Sequence, residues 1–291
     1  MHILLGLRRY VYMLMQISSP LAPEGLIQFE DQLALVLSFM VHEPWQNLLH
    51  NFNKNDIRDF MQQLLIALKE VHQKGLIHHD VKLSNILYTR KDCACLLVDF
   101  GLARNEMDPQ SYNHRGTKGF RAPEVVLGRQ GQTTTVDLWS AGVVMMCILC
   151  RSHRFPWFTH KDTATAVMEF RCLRAHIKQM DFSWVKQNQS YSKEPVDKLS
   201  QLTFGKQKND FAQADQKAAS FYRTAGAVGW TWRTLMHQLV IQGDQNDSGW
   251  ECTADSDPMW DLLNRLLDVD PDNRISADEA LKHPWFVTRS L

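Results

Sequence analysis

The first 53 residues of this 291-residue chain contain no lysine, and their only glycines are Gly6 and Gly25. A phosphate-binding loop of closely spaced glycines with a nearby lysine is therefore excluded from this stretch. Cysteine is also scarce, with six residues in the whole chain, which favours reduced thiols over a disulfide framework. Cys147 and Cys150 form a C-x-x-C pair, but they lie in an apolar stretch with no second cysteine pair nearby, and we interpret them as buried helix cysteines.

An excess of one charge and long hydrophobic runs are absent as well. Lysine plus arginine and aspartate plus glutamate each total 32, so the overall balance does not indicate a nucleic-acid or membrane partner. The apolar stretch 141–150 is about half as long as a membrane span requires. At the N-terminus, Arg8 and Arg9 follow the apolar residues without a small-residue cleavage site, so no secretion signal is expected.

Hydrophobic patterning predicts a mixture of short strands and helices. Residues 26–40 contain two apolar runs joined by polar residues 30–32, which predicts a β-hairpin. Between Ile57 and Val71 the apolar residues recur every three or four positions, which predicts a helix. Asn53 can cap that helix at its start and Gly75 can end it. Brief strands are predicted within 76–77, 85–88 and 95–99, and further helices at 136–149, 163–170 and 258–267.

Residues 185–250 have a different character from the rest of the chain. They are mostly polar and show no sustained period, apart from one apolar patch at 228–240. This composition predicts an insertion that is at best partly ordered.

Three motifs follow one another along the chain: HHDVKLSN at 78–85, DFG at 99–101 and APE at 122–124. Their order and spacing resemble the catalytic loop, the metal-binding loop and the end of the activation segment of eukaryotic-type protein kinases. A lone DFG occurs by chance in turns, but three ordered motifs favour the kinase interpretation. The resemblance implies an α+β, protein-kinase-like fold with a mostly helical C-terminal lobe and a partial β-sheet N-terminal lobe.

Phosphoryl transfer depends on positioning and on neutralisation of charge, and the kinase template gives four residues a role. Asp80 would orient or accept the proton of the substrate hydroxyl, and Lys82 would contact the γ-phosphate of ATP. Asn85 and Asp99 would supply oxygen ligands to Mg²⁺. The expected cofactors are ATP and Mg²⁺, and the nucleotide is expected to contact Leu37, Phe39, Met40, Lys82, Asn85, Leu87 and Asp99.

Other residues are expected to support the site without reacting. His78 is more easily explained as a histidine packed beneath Phe100 than as an acid or base, since a carboxylate already does the proton work. In kinases, the aspartate at the position of Asp137 holds the backbone of the catalytic loop. Glu124 and Arg274, 150 positions apart, are expected to form a buried ion pair.

Beyond the general template, the chain resembles the DDK family, the cell-division-cycle kinases that start DNA replication when a separate regulatory subunit activates them. The resemblance rests on VHEPW at 41–45, LVDFGLA at 97–103 and GTKGFRAPE at 116–124. Phe120 is informative because most kinases carry tyrosine there, and Lys82 and Thr117 match the serine/threonine class.

The family implies a nuclear enzyme that phosphorylates serine or threonine in acidic contexts, chiefly on the minichromosome-maintenance helicase. No direct nucleic-acid or membrane partner is expected. The implied organisation is a partial N-lobe at 1–40, a C-lobe at 41–184, the insertion at 185–250 and terminal helices at 251–291. The insertion is expected to help bind the activating regulatory subunit.

The chain departs from the kinase pattern where ATP is normally held. Residues 1–53 lack the glycine loop and the strand lysine. Without a lysine that binds the phosphates, the transition state of phosphoryl transfer should lose much of its electrostatic stabilisation. We therefore expect the polypeptide alone to be inactive or very weak. Three explanations stay open: a fragment of a longer kinase, a truncated isoform, or a pseudokinase scaffold that binds a regulatory subunit. The retained Asp80, Asn85 and Asp99 favour the first.

A second departure is His79, where many kinases carry an arginine that grips a phosphorylated activation loop. Histidine cannot reproduce those bidentate contacts. Activation by loop phosphorylation is therefore not expected, although Ser111, Tyr112 and Thr117 lie in the loop. A bound activating subunit is expected to order the loop instead.

Overall fold

The computed structural model describes residues 24–29, 32–36, 39–107, 115–126, 128–151, 257–268 and 270–287. Their strands are β1 (Gly25–Phe29), β2 (Gln32–Val36), β3 (Leu76–Ile77), β4 (Ile86–Thr89), β5 (Ala94–Leu97) and β6 (Arg104–Asn105). Their helices are α1 (Trp45–Asn51), α2 (Lys54–Gln73), α3 (Pro123–Val126), α4 (Thr135–Leu149), α5 (Pro258–Leu266), α6 (Ala277–Leu281) and α7 (Pro284–Val287). Short 3-10 turns cover Leu83–Asn85 and Phe100–Leu102. Leu37, which is expected to contact the nucleotide, the predicted helix at 163–170 and the predicted insertion at 185–250 lie outside the described residues.

Strands β1 and β2 form the predicted hairpin. They pair in antiparallel register, with Gly25 opposite Val36 and Phe29 opposite Gln32. Gln32 was predicted to lie in the turn but belongs to β2, since its polar side chain does not prevent its backbone from pairing with Phe29. Only residues 30 and 31 separate the two strands.

Helix α2 confirms the helix predicted from periodicity. Asn53 caps it: its side chain accepts hydrogen bonds from the backbone N–H groups of Asn55 and Asp56, while Asp56 accepts one from the N–H of Asn53. The apolar face is buried, and the helix packs against β5, α4 and α6. Gly75 follows the helix with φ +67°, a left-handed conformation that glycine adopts without strain.

Helix α4 forms the centre of the core. Every residue from Val136 to Leu149 is buried, which is typical of a helix that is apolar all round. At Gly142 an added Cβ would lie 2.7 Å from a methyl carbon of Leu267, so glycine permits the close approach of the chain that follows α5. Cys147 is buried within the helix, as predicted, whereas Cys150 is half-buried and lies just after the helix as its C-cap; neither forms a disulfide. In the described part of the chain no helix is long and apolar enough to span a membrane.

Candidate active site

Two small sheets bring the catalytic loop and the DFG segment together. Strand β3, which precedes the catalytic loop, pairs with β6, which follows the DFG segment. Strand β4, which follows the catalytic loop, pairs with β5, which precedes the DFG segment. The hydrogen bond from the N–H of Val98 to the carbonyl of Asn85, at 2.9 Å, extends this second pairing. The loops that carry Asp80 and Asp99 are therefore neighbours, as the kinase interpretation requires.

The backbone of the catalytic loop is held by Asp137, in the first turn of α4. Its Oδ2 accepts the N–H of His78 at 2.8 Å and its Oδ1 accepts the N–H of His79 at 2.9 Å. Asp137 is fully buried; burial alone would raise its pKa, but the hydrogen bond from His72 and the neighbouring imidazoles lower it. The carboxylate therefore stays ionised, and hydrogen bonds to a charged group are worth about 1.5–3 kcal/mol each. The predicted anchoring role of Asp137 is confirmed.

His78 lies between the two loops. Its ring packs edge-on against Phe100, with the ring centroids 4.6 Å apart, as predicted. Nδ1 accepts the N–H of Asp80 at 3.2 Å, and Nε2–H donates to the carbonyl of Val98 at 3.1 Å. This pair of contacts requires a neutral ring, and burial lowers the pKa of His78, which favours that form. His78 thus joins the backbone of the catalytic loop to the residue before Asp99.

The carboxylate of Asp80 receives four hydrogen bonds. Oδ2 accepts from Nζ of Lys82 at 2.7 Å and from Nδ2 of Asn85 at 2.9 Å. Oδ1 accepts from the backbone N–H of Thr117 at 2.9 Å and from its hydroxyl at 2.6 Å. Burial raises the pKa of Asp80, but the hydrogen bonds from Lys82 and Thr117 outweigh it and lower the pKa. Asp80 is therefore an ionised carboxylate with a hydroxyl group already in contact.

Asn85 and Asp99 present oxygen atoms suited to a divalent cation. Asn85 donates its amide N–H groups to the carbonyl and carboxylate of Asp80, at 3.0 and 2.9 Å, which leaves its Oδ1 to accept. Asp99 is exposed, lies in the left-handed region at φ 62°, and bonds the N–H of Gly101 at 3.3 Å. Among the described residues no three His, Cys, Asp or Glu side chains cluster as a metal site. A cation here would therefore need further oxygen ligands, from phosphate or water.

The activation segment approaches the catalytic loop through a glycine. Gly116 has φ +90°, and an added Cβ would lie 2.3 Å from the carbonyl oxygen of His79, so no other residue fits. The Nε–H of Arg121 donates to the carbonyl of Gly116 at 2.8 Å. These contacts place Thr117 against Asp80.

Glu124 and Arg274 form the predicted buried ion pair. The guanidinium donates two parallel hydrogen bonds to the carboxylate, at 2.6 and 2.9 Å, and both side chains are almost fully buried. Arg274 also donates to the carbonyls of Asp268 and Thr135 and lies 5.3 Å from the ring of Trp139. The pair fixes the end of the activation segment to the C-terminal helices.

His79 is buried with an unusual backbone. Its φ is +65°, and no described residue forms a hydrogen bond with its buried Nε2. Burial lowers the pKa of His79 to about 4, and the positive charges of Arg115 and Arg104 add to this effect against the opposing influence of Asp137. The ring is therefore neutral at physiological pH and occupies the place of an arginine without its charge.

Three further residues predicted to contact the nucleotide differ in how far they are buried. Met40 and Leu87 are half-buried and pack against the core, whereas the side chain of Phe39 is 88% exposed. A ring this exposed contacts little of the protein, so the core does not fix its position. The assignment of all three residues to the ATP site stays a prediction.

Sequence reasoning missed two residues that contact the site. Thr117 was noted as a marker of the serine/threonine class and as a loop residue, but its contact with the site was not predicted: its hydroxyl donates to Asp80 and accepts from Lys82. His72, on α2, donates to Asp137 and was not singled out at all. The position of Thr117 five residues before APE is a usable signal, but nothing local in the sequence connects His72 with a residue 65 positions away.

The known proteins that are similar in sequence to this chain are protein kinases, in agreement with the geometry of the site. The protein kinase domain family matches residues 15–286. The chain is 26% identical to the probable cell division control protein 7 homolog 2 of Encephalitozoon cuniculi, over 90% of this chain and 74% of that protein. It is 27% identical to the cell cycle protein kinase spo4 of Schizosaccharomyces pombe, over 91% of this chain and 66% of that protein. It is 25% identical to the cell cycle serine/threonine-protein kinase hsk1 of the same yeast, over 94% of this chain and 56% of that protein.

Proposed function

The chain belongs to the protein kinase domain family, and from this premise we propose that it is a cell-cycle serine/threonine kinase of the DDK type. The relatives named for cell division control and for the cell cycle confirm the resemblance predicted from its motifs. The observation that carries the proposal is the convergence of Asp80, Asn85 and the residue before Asp99 on one set of hydrogen bonds.

Asp80 is the proposed catalytic carboxylate. Its lowered pKa keeps it ionised, so it can accept a hydrogen bond from an alcohol. The hydroxyl of Thr117, 2.6 Å from Oδ1, shows that an aliphatic hydroxyl can reach this oxygen. A substrate serine or threonine would make the same kind of contact and would be oriented towards the nucleotide.

Lys82, Asn85 and Asp99 are the proposed phosphate-facing residues. Lys82 and Asn85 both donate hydrogen bonds to Oδ2 of Asp80. The positive charge of Lys82 would therefore lie beside the hydroxyl group of a bound substrate. Asn85 and Asp99 would hold Mg²⁺, since both offer hard oxygen atoms. When bound, Mg²⁺ with ATP supplies the phosphoryl group and neutralises the charge that develops on it.

Acidic sequence contexts are the proposed substrates, in keeping with the family resemblance. The segment 115–121 carries three basic residues and no acidic one. Lys118 is exposed directly after Thr117, where it can meet a negative charge near the target hydroxyl. By the same resemblance we propose the minichromosome-maintenance helicase as substrate, a DDK-type regulatory subunit as activator, and the nucleus as location.

A non-catalytic scaffold is the alternative that the amino-acid composition favours. Residues 1–53 contain no lysine, whereas phosphate binding in kinases normally uses one from a strand. We therefore expect phosphoryl transfer by this chain to be slow. By the family resemblance, we also propose that the chain needs an activating subunit.

The test measures transfer of labelled γ-phosphate from ATP to an acidic serine peptide by the purified chain, in long incubations with Mg²⁺. We expect slow transfer that Asp80→Asn abolishes, with a weaker signal on a peptide whose acidic residues are replaced by lysine. Asp92→Asn, at an exposed turn, is the matched control and should change nothing. Transfer that persists in Asp80→Asn would contradict the proposal, and an absence of any transfer would favour the scaffold.

A further inference from the structure

The linker formed by residues 39–44, between β2 and α1, has little apolar contact with the described part of the chain. The side chains of Phe39 and Val41 are 88% and 75% exposed, and that of Met40 is half-buried against the core. Apolar packing alone therefore does not fix the linker. Met40 is nevertheless expected to contact the nucleotide, so its position depends on other contacts of the linker.

Two hydrogen bonds attach the linker and the first residue of α1 to strand β4. The backbone N–H of Glu43 donates to the carbonyl of Tyr88 at 3.0 Å, and the Nε1–H of Trp45 donates to the carbonyl of Ile86 at 2.9 Å. Leu87, which is also expected to contact the nucleotide, lies between these two acceptors in the sequence. The linker is therefore held on either side of one predicted nucleotide contact while it carries another.

The carboxylate of Glu43 forms a further attachment, to the turn that follows β4. Its Oε1 accepts the backbone N–H of Arg90 at 3.1 Å, and its Oε2 lies 3.8 Å from Nη2 of the same arginine. The side chains of Arg90 and Glu43 are 33% and 35% exposed, so water and salt screen the pair. We therefore expect it to act on the position of the linker more than on global stability.

Arg90 also binds the ends of two helices. Its Nη1 donates to the carbonyl of Asn51, the last residue of α1, at 3.1 Å and lies 3.7 Å from Oδ2 of Asp56, in the first turn of α2. The last carbonyls of a helix have no partner within it, and a cation is favourable there. The linker is thus attached to a guanidinium group whose own position two helices determine.

We propose that Glu43 and Arg90 are positioning residues for the nucleotide, because their contact fixes the linker that carries Met40 on the strand that carries Leu87. The apolar side chains of Met40 and Leu87 suit the purine ring of ATP better than its charged phosphates. The proposal deepens the proposed function and rests on it for the nucleotide. The attachment of the linker can be measured without any nucleotide, so the two can fail separately.

The first experiment measures amide hydrogen exchange of residue 43 in the full chain by NMR, without nucleotide. Arg90→Ala removes neither this amide nor its acceptor, the carbonyl of Tyr88. If the guanidinium holds the linker, exchange should nevertheless be about fivefold faster, because the linker opens more often. Unchanged exchange would overturn the proposal.

A matched control separates this role from a general effect of removing a positive charge from the turn. Lys91 follows Arg90 directly and is exposed. Lys91→Ala should leave exchange at residue 43 unchanged, and equal acceleration by both alanine variants would overturn the proposal. Glu43→Gln, which removes the charge from the other side of the pair, should accelerate this exchange as well and serves if Arg90→Ala does not fold.

The second experiment titrates the protein with adenosine, which has no phosphate, and with ATP and Mg²⁺, and follows the NMR chemical shifts. In Arg90→Ala both dissociation constants should rise by the same factor of about five, the lower end of typical coupling between separate sites. In Asp99→Asn only the binding of ATP with Mg²⁺ should weaken.

The outcomes distinguish the two proposals. Unchanged affinity of Arg90→Ala for both ligands, or a loss restricted to ATP, would overturn the role of the pair in positioning the nucleotide. An unmodified chain that binds neither ligand would overturn the proposed function and this role together, whereas exchange at residue 43 would still decide whether the pair holds the linker.

Discussion

Two groups of charged residues surround the catalytic loop, and they differ in how they are bound. Asp137 and the Glu124–Arg274 pair are fully buried, and their partners are backbone groups or side chains fixed in the core. Asp80 is also buried, but its carboxylate binds the side chains of Lys82, which is 23% exposed, and of Thr117, and these are partners that a substrate can displace.

The difference indicates a division of labour. Charges that hold the fold are removed from water and bound by partners that cannot leave, since an unpaired buried charge is costly. Among the charges proposed for chemistry, Asp99 is exposed, and Asp80 binds a lysine side chain that reaches solvent. Substitutions in the buried structural group should therefore destabilise the fold. Substitutions of the charges proposed for chemistry should remove nucleotide binding or phosphoryl transfer and leave the fold intact.

The largest effect is expected from the first group. Arg274→Ala leaves Glu124 as an unpaired buried charge and should lower the free energy of unfolding by about 3–5 kcal/mol. The matched control is Arg265→Ala, which removes an exposed pair with Asp261 and should cost about 0.5 kcal/mol or less. Chemical denaturation of both variants measures the difference. Similar losses in the two variants would mean that burial does not distinguish the charges.

A smaller effect is expected from His79, which lies between the two groups. Its pKa is lowered from 6.5 to about 4 in the folded chain, so below pH 6.5 the unfolded chain binds a proton that the folded chain does not. Stability should be fully present above pH 6.5 and should fall by about 3 kcal/mol as the pH drops towards 4.

The variant His79→Asn isolates this contribution, since asparagine tolerates φ +65° and does not titrate. Urea unfolding at pH 7 and pH 4.5 should show a smaller loss in the variant than in the unmodified chain. Equal losses in both would indicate that His79 is not held neutral by burial.

The sequence alone was sufficient where a pattern repeats or a motif is ordered. Helix α2 follows from the spacing of its apolar residues and from Asn53, because a 3.6-residue period and a capping side chain are local properties. The pairing of Glu124 with Arg274 followed from kinase resemblance, not from any local signal.

The rest depends on contacts between distant parts of the chain. The left-handed backbone of His79 and Asp99 is imposed by the surrounding structure, since neither residue prefers it strongly enough to be predicted. The same holds for the hydrogen bond of His72 to Asp137. Strands β3 and β6, of two residues each, carry too little pattern to reveal their pairing.

The most direct test of the central claim is the melting temperature of the chain with ATP, with and without Mg²⁺. At a nucleotide concentration ten times the dissociation constant, we expect Mg²⁺ and ATP together to raise it by roughly 2–4 °C. The rise should vanish in Asp99→Asn and remain in Asp92→Asn. Two results would contradict the assignment of these loops to ATP and its metal ion. One is a melting temperature that does not rise with Mg²⁺ and ATP, and the other is an Asp99→Asn variant whose melting temperature still rises.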